Sequence, residues 1–153
     1  TLSSQISILS AYKISNVKTD YISGRLQKPL NPKNRFFLNF AYDGNKNSKG
    51  ANWKYDLTYN LIGEQRFPST QNSPVEYRMD EFAPDITLVN TQLTRVFNDS
   101  FETYLGIENL TNYKQMNPII SSEDPFGQYF DSTFVYGPLF GRMYYLGLRY
   151  RIN

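Results

Sequence analysis

Hydrophobic and polar residues alternate along most of this chain with the two-residue period of a β-strand, and helical periodicity is almost absent. From Trp53 to Leu61, for example, every second residue is large and apolar, while Lys, Asp, Thr and Asn stand between them. This pattern predicts an all-β fold. Six segments carry it, and we predict a strand in each: 5–14, 36–42, 53–62, 86–97, 101–109 and 144–152.

The connections between the predicted strands alternate in length. Residues 43–52 and 97–101 are short and polar, and the second runs through Asn98-Asp99-Ser100. The other three connections are long and rich in proline and aromatic residues: 15–33, 63–85 and 110–141. Short turns on one side and long loops on the other are typical of a transmembrane β-barrel. We therefore predict antiparallel strands with periplasmic turns and extracellular loops.

The positions of the aromatic residues help to decide what the apolar face contacts. In a soluble sandwich that face packs in the protein core, whereas in a membrane barrel it contacts lipid. In the barrel interpretation, every outward residue at a periplasmic strand end is aromatic. Such rings form girdles at membrane interfaces, and we predict one from Tyr42, Trp53, Phe97, Phe101 and Tyr150. The same parity turns Arg95 outward, so its guanidinium must reach the membrane surface.

Residues of the opposite parity are predicted to face the lumen. They are mostly polar or charged, and the candidates are Asn90, Gln92, Glu102, Tyr104, Glu108, Arg149 and Arg151. If paired residue numbers in the last hairpin sum to about 253, Glu102 lies opposite Arg151 and Tyr104 opposite Arg149.

Composition narrows the chemistry of this 153-residue chain. It has no Cys and no His, which excludes disulfides, thiolate metal sites, Ser-His-Asp hydrolysis and HExxH zinc sites. The net charge of +2 is too balanced to indicate nucleic acid binding. The acidic pairs at 80–81 and 123–124 could hold Ca²⁺ or act as acid and base, but solvated loop charge is the simpler interpretation. We predict no enzyme activity, no metal and no cofactor.

Several motifs resemble those of a known family. Residues 145–152 resemble the β-signal on the last strand of outer-membrane barrels, although Ile152 replaces the usual aromatic residue and Asn153 follows it. Residues 106–113, Gly-Ile-Glu-Asn-Leu-Thr-Asn-Tyr, resemble the G-x-E-N-L-x-N/D-x-Y element of TonB-dependent outer-membrane receptors. Residues 88–97 resemble the preceding strand of that family, and residues 32–35 resemble its loop-to-strand junction.

This resemblance implies that residues 1–153 are the C-terminal segment of a roughly 22-stranded barrel in a bacterial outer membrane. Six strands are too few to close a barrel, which usually needs about eight. The plug domain, the earlier strands and the TonB box would lie outside this segment. The resemblance implies import of a scarce, bulky nutrient such as a metal chelate or cobalamin. It also implies partners: the rest of the receptor, TonB and lipid, with a surface lipoprotein left open.

Within that picture, the lumen candidates could contact the plug or simply line the lumen. The loop at 110–141 is the candidate for ligand contact, because exposed loop aromatics commonly bind ligands. Its candidates are Phe126, Tyr129, Phe130, Asp131, Phe134 and Tyr136. The alternative is that this loop folds back and buries its own rings.

Two other folds stay open from the sequence. A small, self-contained barrel with a structural or adhesive role would need two further strands, in 20–33 and 128–137. Pro29, Pro32 and Pro138 argue against those strands. A soluble β-sandwich that acts as a binding module would suit an outward Arg95, but it would make the β-signal and the aromatic girdle coincidences.

Overall fold

The computed structural model describes residues 5–152, which form an all-β structure with one short 3₁₀ turn at Val75–Tyr77. No helix in this part of the chain is long and apolar enough to cross a membrane. The strands are β1 (Ile6–Ile14), β2 (Lys18–Tyr21), β3 (Gly24–Gln27), β4 (Asn34–Asp43), β5 (Asn52–Ile62), β6 (Gln65–Arg66), β7 (Phe82–Ala83), β8 (Ile86–Val96), β9 (Phe101–Glu108) and β10 (Met143–Tyr150).

Six of these strands form one sheet in the order β1-β4-β5-β8-β9-β10, and every neighbouring pair is antiparallel. These are the six strands that the alternation predicts. The remaining strands pair as β2–β3 and β6–β7 within two of the long connections. The sheet is open, because β1 and β10 each have one neighbour among the described residues.

Two short turns close the same edge of this sheet. In the β4–β5 turn, Asn47 Oδ1 accepts hydrogen bonds from the backbone N–H groups of Lys49 (2.9 Å) and Ala51 (3.0 Å). In the β8–β9 turn, Asn98 Oδ1 accepts from Ser100 and Phe101, both at 2.9 Å. An asparagine side chain that bonds its own backbone two residues on stabilises a tight turn. The three long connections leave from the opposite edge, as the sequence predicts.

The two faces of the sheet differ sharply in polarity. Paired residues share a face, so Tyr55 pairs with Leu93 and Trp53 with Arg95 on the apolar face. The predicted parity of β8, which places Arg95 on the apolar face, is therefore confirmed. The apolar face is uncovered across the sheet, and Leu146 of β10 is 76% exposed. The other face carries mainly polar side chains, although several apolar ones also lie on it: Leu9, Phe37, Ile62, Ile86, Leu88 and Val96.

The predicted register of the last hairpin is wrong by two residues. Glu102 pairs with Arg149 rather than Arg151, and Tyr104 pairs with Gly147 rather than Arg149. The reason is reciprocal packing of tyrosine against glycine. A Cβ on Gly147 would overlap the Tyr104 ring, and a Cβ on Gly106 would overlap the Tyr145 ring in the same way. An aromatic ring over a cross-strand glycine pins the register of a sheet.

The largest buried apolar cluster lies in the loops rather than in the sheet. Its members are Phe67, Ala83, Ile120 and Phe134, with Tyr77, Met79 and Tyr136 packed against them. They come from the β5–β8 connection (63–85) and the β9–β10 connection (110–141). We call these two connections together the loop body.

Candidate functional site

The loop body begins at a tightly bonded turn where β9 ends. Asn109 has a left-handed backbone (φ 52°), and its Nδ2 donates to the carbonyls of Tyr113 (2.7 Å) and Phe140 (3.2 Å). Its Oδ1 accepts from the Tyr113 N–H (3.0 Å), and its own N–H donates to Asn90 Oδ1 (2.9 Å). Asparagine tolerates this conformation better than most residues. Asn109 thus joins both ends of the 110–141 loop to β8.

The neighbouring residues of the same motif strengthen this junction. Asn112 Oδ1 accepts a hydrogen bond from the Arg142 N–H (2.9 Å), and Arg142 Nη2 donates to the Leu110 carbonyl (2.8 Å). Thr111 Oγ1 donates to the Thr87 carbonyl at 2.9 Å. The Asn-Leu-Thr-Asn-Tyr element therefore has a structural role here, since it holds the exit and return of the loop side by side.

Gln115 folds the loop back on itself. Its side chain is buried, with Nε2 donating to the Phe134 carbonyl (2.7 Å) and Oε1 accepting from the N–H groups of Tyr136 (2.8 Å) and Gly137 (3.0 Å). One amide side chain thereby satisfies three backbone groups that would otherwise be buried unpaired. Nearer the tip of the loop, an antiparallel β-bridge between Ile120 and Asp131 holds its two halves together.

Aromatic rings join the two connections of the loop body. Phe67 packs against Phe134 and Tyr136 with ring centroids 5.2 and 5.3 Å apart, and Tyr77 stacks on Tyr129 at 5.1 Å. Tyr113 Oη donates to Tyr136 Oη at 3.3 Å. Burial, and secondarily this hydrogen bond, raises the pKa of Tyr136 well above the usual value for a tyrosine.

The third long connection is held to the loop body by Arg66. This buried residue donates from Nη1 to the Gln27 carbonyl (3.2 Å), and its own carbonyl accepts from the Leu30 N–H (2.8 Å). The guanidinium lies 5.6 Å from the Tyr21 ring centroid. The β2–β3 hairpin is therefore attached to the loop body rather than to the main sheet.

A cleft of about 490 Å³ opens between the two connections of the loop body. Residues 76–79 line one side, and residues 117–123 line the other. Its size falls within the range of small-molecule sites. Apolar side chains such as Met79 and Ile120 alternate there with polar ones, including Glu76, Arg78 and Glu123.

The structure divides the six predicted ligand-contact residues. Phe126 is fully exposed at the loop tip, and Tyr129 is partly exposed. Phe130, Asp131 and Tyr136 are half-buried. The prediction for Phe134 is wrong, because its ring is 1% exposed in the loop core and is out of reach of a ligand. The alternative, a loop that buries its own rings, thus holds for this residue.

None of those six residues lines the cleft, which the sequence analysis missed. The one signal in the sequence is the Glu123-Asp124 pair, for which solvated loop charge is the simpler interpretation, and Glu123 lines the cleft. The cleft forms between two segments that are about 40 residues apart in the sequence and are brought together by the loop core. The local pattern of hydrophobic and polar residues therefore does not indicate it.

The predicted lumen residues fall into three positions on the polar face. At its centre, Gln92 Oε1 accepts a hydrogen bond from Tyr145 Oη (3.0 Å). Towards the short turns, Glu102 forms an ion pair with Arg149, whose guanidinium lies 5.9 Å from the Tyr104 ring centroid.

Towards the loops, Asn90 bonds Asn109 as described, and Glu108 ends β9. At the opposite end, Arg151 lies just after β10, and its backbone N–H donates to the carbonyl of Ser100 in the β8–β9 turn (2.8 Å). Contact of any of these residues with a plug domain stays a prediction.

The five predicted girdle residues lie at the short-turn edge. The Arg95 guanidinium is 4.9 Å from the Trp53 ring centroid and 5.7 Å from that of Phe97, which stacks on Phe101 at 5.4 Å. Tyr150 pairs directly with Phe101. Tyr42 lies on the same face, one residue before the end of β4. The rings therefore form a belt with one cation among them, and their contact with lipid stays a prediction.

Metal ligation has no geometric support in residues 5–152, where no three His, Cys, Asp or Glu side chains come together. Comparisons with protein-family models, with curated proteins and with solved structures find no match to this chain.

Proposed function

We propose that this chain is the C-terminal wall of a TonB-dependent receptor barrel in a bacterial outer membrane. The observation that carries the proposal is the uncovered apolar face of the six-stranded sheet. Ile8 is 50% exposed, and Tyr12, Leu105, Leu146 and Leu148 are more exposed still. A continuous apolar face that runs across six strands marks a surface that meets another apolar medium or partner. Lipid is the medium that suits it.

The two edges of the sheet support the same proposal. The short turns and the belt of aromatic rings share one edge, and the long loops share the other. This is the asymmetry of outer-membrane barrels, in which the short turns are periplasmic. The unpaired backbone groups of β1 and β10 would be intolerable in lipid. In the proposed receptor, further strands of the barrel pair with both.

In this proposal the protein imports a scarce, bulky nutrient and catalyses no covalent chemistry. The polar face, with Asn90, Gln92, Glu102 and Arg149, lines the lumen. The loop body stands at the outer mouth of the barrel, where a solute first meets the receptor. TonB supplies the energy through parts of the polypeptide outside this segment.

The two alternatives gain less support. A self-contained barrel of about eight strands would need more strands in the main sheet, but 18–27 forms a separate hairpin and residues 128–137 contribute only the Asp131 bridge. A soluble sandwich would need a second layer against the apolar face. Among the described residues, the side chains of that face are instead mostly exposed on β1 and β10 and mostly half-buried on the strands between them, and none is buried.

Spin labels on neighbouring residues of β1 test the proposal. Ile8 and Leu9 are both aliphatic and at least half exposed, but they lie on opposite faces of the sheet. The 153 residues contain no Cys, so Ile8→Cys and Leu9→Cys give unique labelling sites in this segment. The label is read in the complete polypeptide, reconstituted in lipid, with oxygen and a water-soluble nickel chelate as relaxation agents.

We expect position 8 to be accessible to oxygen and shielded from nickel, and position 9 to show the reverse. Low accessibility of position 8 to both agents would indicate a protein core and would contradict the proposal. The intact mass of the polypeptide extracted from outer membranes gives a second test. A mass several times 17.8 kDa supports a receptor, whereas a stable species of 17.8 kDa would refute it.

A further inference from the structure

The loop body has a strongly acidic composition. Its two segments, 63–85 and 110–141, contain eight Asp and Glu against three Lys and Arg, although the whole chain has 14 against 16. The rest of the chain is therefore basic. A surface of one charge sign raises the local concentration of ligands of the opposite sign.

The cleft between these segments carries two unpaired carboxylates. Glu76 enters from one connection and Glu123 from the other, and within residues 5–152 neither side chain has a hydrogen bond or an ion pair. The one basic residue of the cleft, Arg78, donates from Nε to the Ser73 carbonyl at 2.9 Å. The cleft lining thus has two carboxylates against one guanidinium, which leaves an excess of one negative charge.

A largely buried serine adds a second, independent observation. Ser121 lines the cleft and is only 8% exposed, and its side chain makes no hydrogen bond within residues 5–152. Its hydroxyl oxygen is still reached by solvent. Most buried polar side chains are satisfied by protein or by bound water. The Ser121 hydroxyl is therefore available to a ligand that occupies the cleft.

We propose that this cleft binds an organic cation, that is, a molecule with an ammonium group and an apolar body. Glu76 and Glu123 provide the charge that receives the ammonium group. Tyr77, Met79 and Ile120 provide apolar surface for the body, and Ser121 provides a hydroxyl acceptor. Polar groups that fix orientation within mainly apolar walls are the usual design of a small-molecule site. Binding of a cation in this cleft does not depend on the transport proposal. Only the further step, that this cation is the imported solute, rests on the proposed transport function.

Three dansyl compounds of different charge test the inference. They are dansylcadaverine, which carries an ammonium group, dansylglycine, which carries a carboxylate, and neutral dansylamide. The complete polypeptide is placed in phosphatidylcholine nanodiscs, and the fluorescence of empty nanodiscs is subtracted. We expect saturable binding of dansylcadaverine at a concentration at least about tenfold lower than that needed for the other two compounds. Equal or tighter binding of dansylglycine would overturn the inference.

Charge variants place the binding in the cleft. Glu76→Gln and Glu123→Gln should each weaken dansylcadaverine binding by about three- to fivefold, the upper part of the range for exposed charge pairs. Arg78→Gln should tighten it, because this change removes a repelling charge. Unfolding of the loops cannot mimic this pattern, since it would weaken binding in all three variants.

Asp85→Asn is the matched control. Asp85 lies in the same connection but does not line the cleft, so this change alters the net charge and leaves the site intact. We expect its affinity to stay within about twofold of the parent. A loss as large as that of Glu76→Gln, or weaker binding by Arg78→Gln, would refute the cleft as the binding site. The spin-label result at position 8 is independent of all these measurements, so failure of one proposal is distinguishable from failure of the other.

Discussion

The sheet and the loop body differ in where they place their apolar side chains. The sheet turns its largest apolar residues outward, as Leu146 and Leu148 show, and buries few of them. The loop body turns Phe67, Ile120 and Phe134 inward around a small core of its own. Regular structure and a buried core are therefore separated in this chain. The sheet depends on its surroundings for stability, whereas the loop body supplies much of its own.

This difference has a counterpart in hydrogen bonding. The strands satisfy their backbone through ladders, which any sequence of suitable pattern can form. The loop body relies on individual side chains, above all Asn109 and Gln115, which bond several backbone groups each. Loss of one such residue leaves buried backbone groups unpaired. Three changes of sequence test the contrast between the two regions.

The largest effect is expected from Phe134→Ala. Removal of a fully buried aromatic ring typically costs about 3–5 kcal/mol, and here we expect that loss to fall on the loop body alone. Hydrogen exchange should show lost protection in 63–85 and 110–141, with the strands unchanged. Phe126→Ala is the control from the same loop, because Phe126 is fully exposed. Equal loss of protection in β5 and β8 would show that the two regions are not independent.

Leu57→Arg tests the dependence of the sheet on its surroundings. Leu57 lies at the middle of β5 on the apolar face. An arginine on the lipid face near the bilayer centre costs about 2–4 kcal/mol. Its neighbour Thr58 faces the other way, so Thr58→Arg should cost only about 1 kcal/mol, for the lost bond from Asn39. Urea unfolding from lipid vesicles measures both, and equal losses would contradict the assignment of the two faces.

The smallest of the three effects concerns the last hairpin. In Gly147→Ala the new methyl group would meet the Tyr104 ring, and such overpacking costs about 1–3 kcal/mol. The double variant with Tyr104→Leu should recover much of this loss. A double-mutant cycle on the free energy of unfolding measures the coupling. Additive losses would show that the tyrosine–glycine packing does not determine the register of β9 and β10.

Much of the sheet could be predicted from the sequence, because alternation is a local property. The six strands, their connections and the face of Arg95 all follow from which residues lie two apart. The register of the last hairpin did not follow, since it depends on how the rings of Tyr104 and Tyr145 fit over glycines of the neighbouring strand.

The three long connections were harder to predict. The hairpin of β2 and β3 has no apolar alternation, so nothing in its sequence distinguishes it from a loop. The loop core joins Phe67 to Phe134, which are distant in the chain and carry no periodic signal. Phe126 and Phe134 look alike in sequence, yet one is exposed and the other buried. Only the fold of the loop separates them.

The length of the central strands determines the height of the apolar face of the sheet. β5 and β8 each contain 11 residues. At about 3.3 Å per residue and an inclination of about 45°, each strand rises roughly 25 Å, which equals the height of the apolar band of outer-membrane barrels. Trp53 and Arg95 stand at the lower limit of that rise. In the proposed receptor the sheet would therefore match a thin bilayer, and two further residues in each strand would require a membrane about 5 Å thicker.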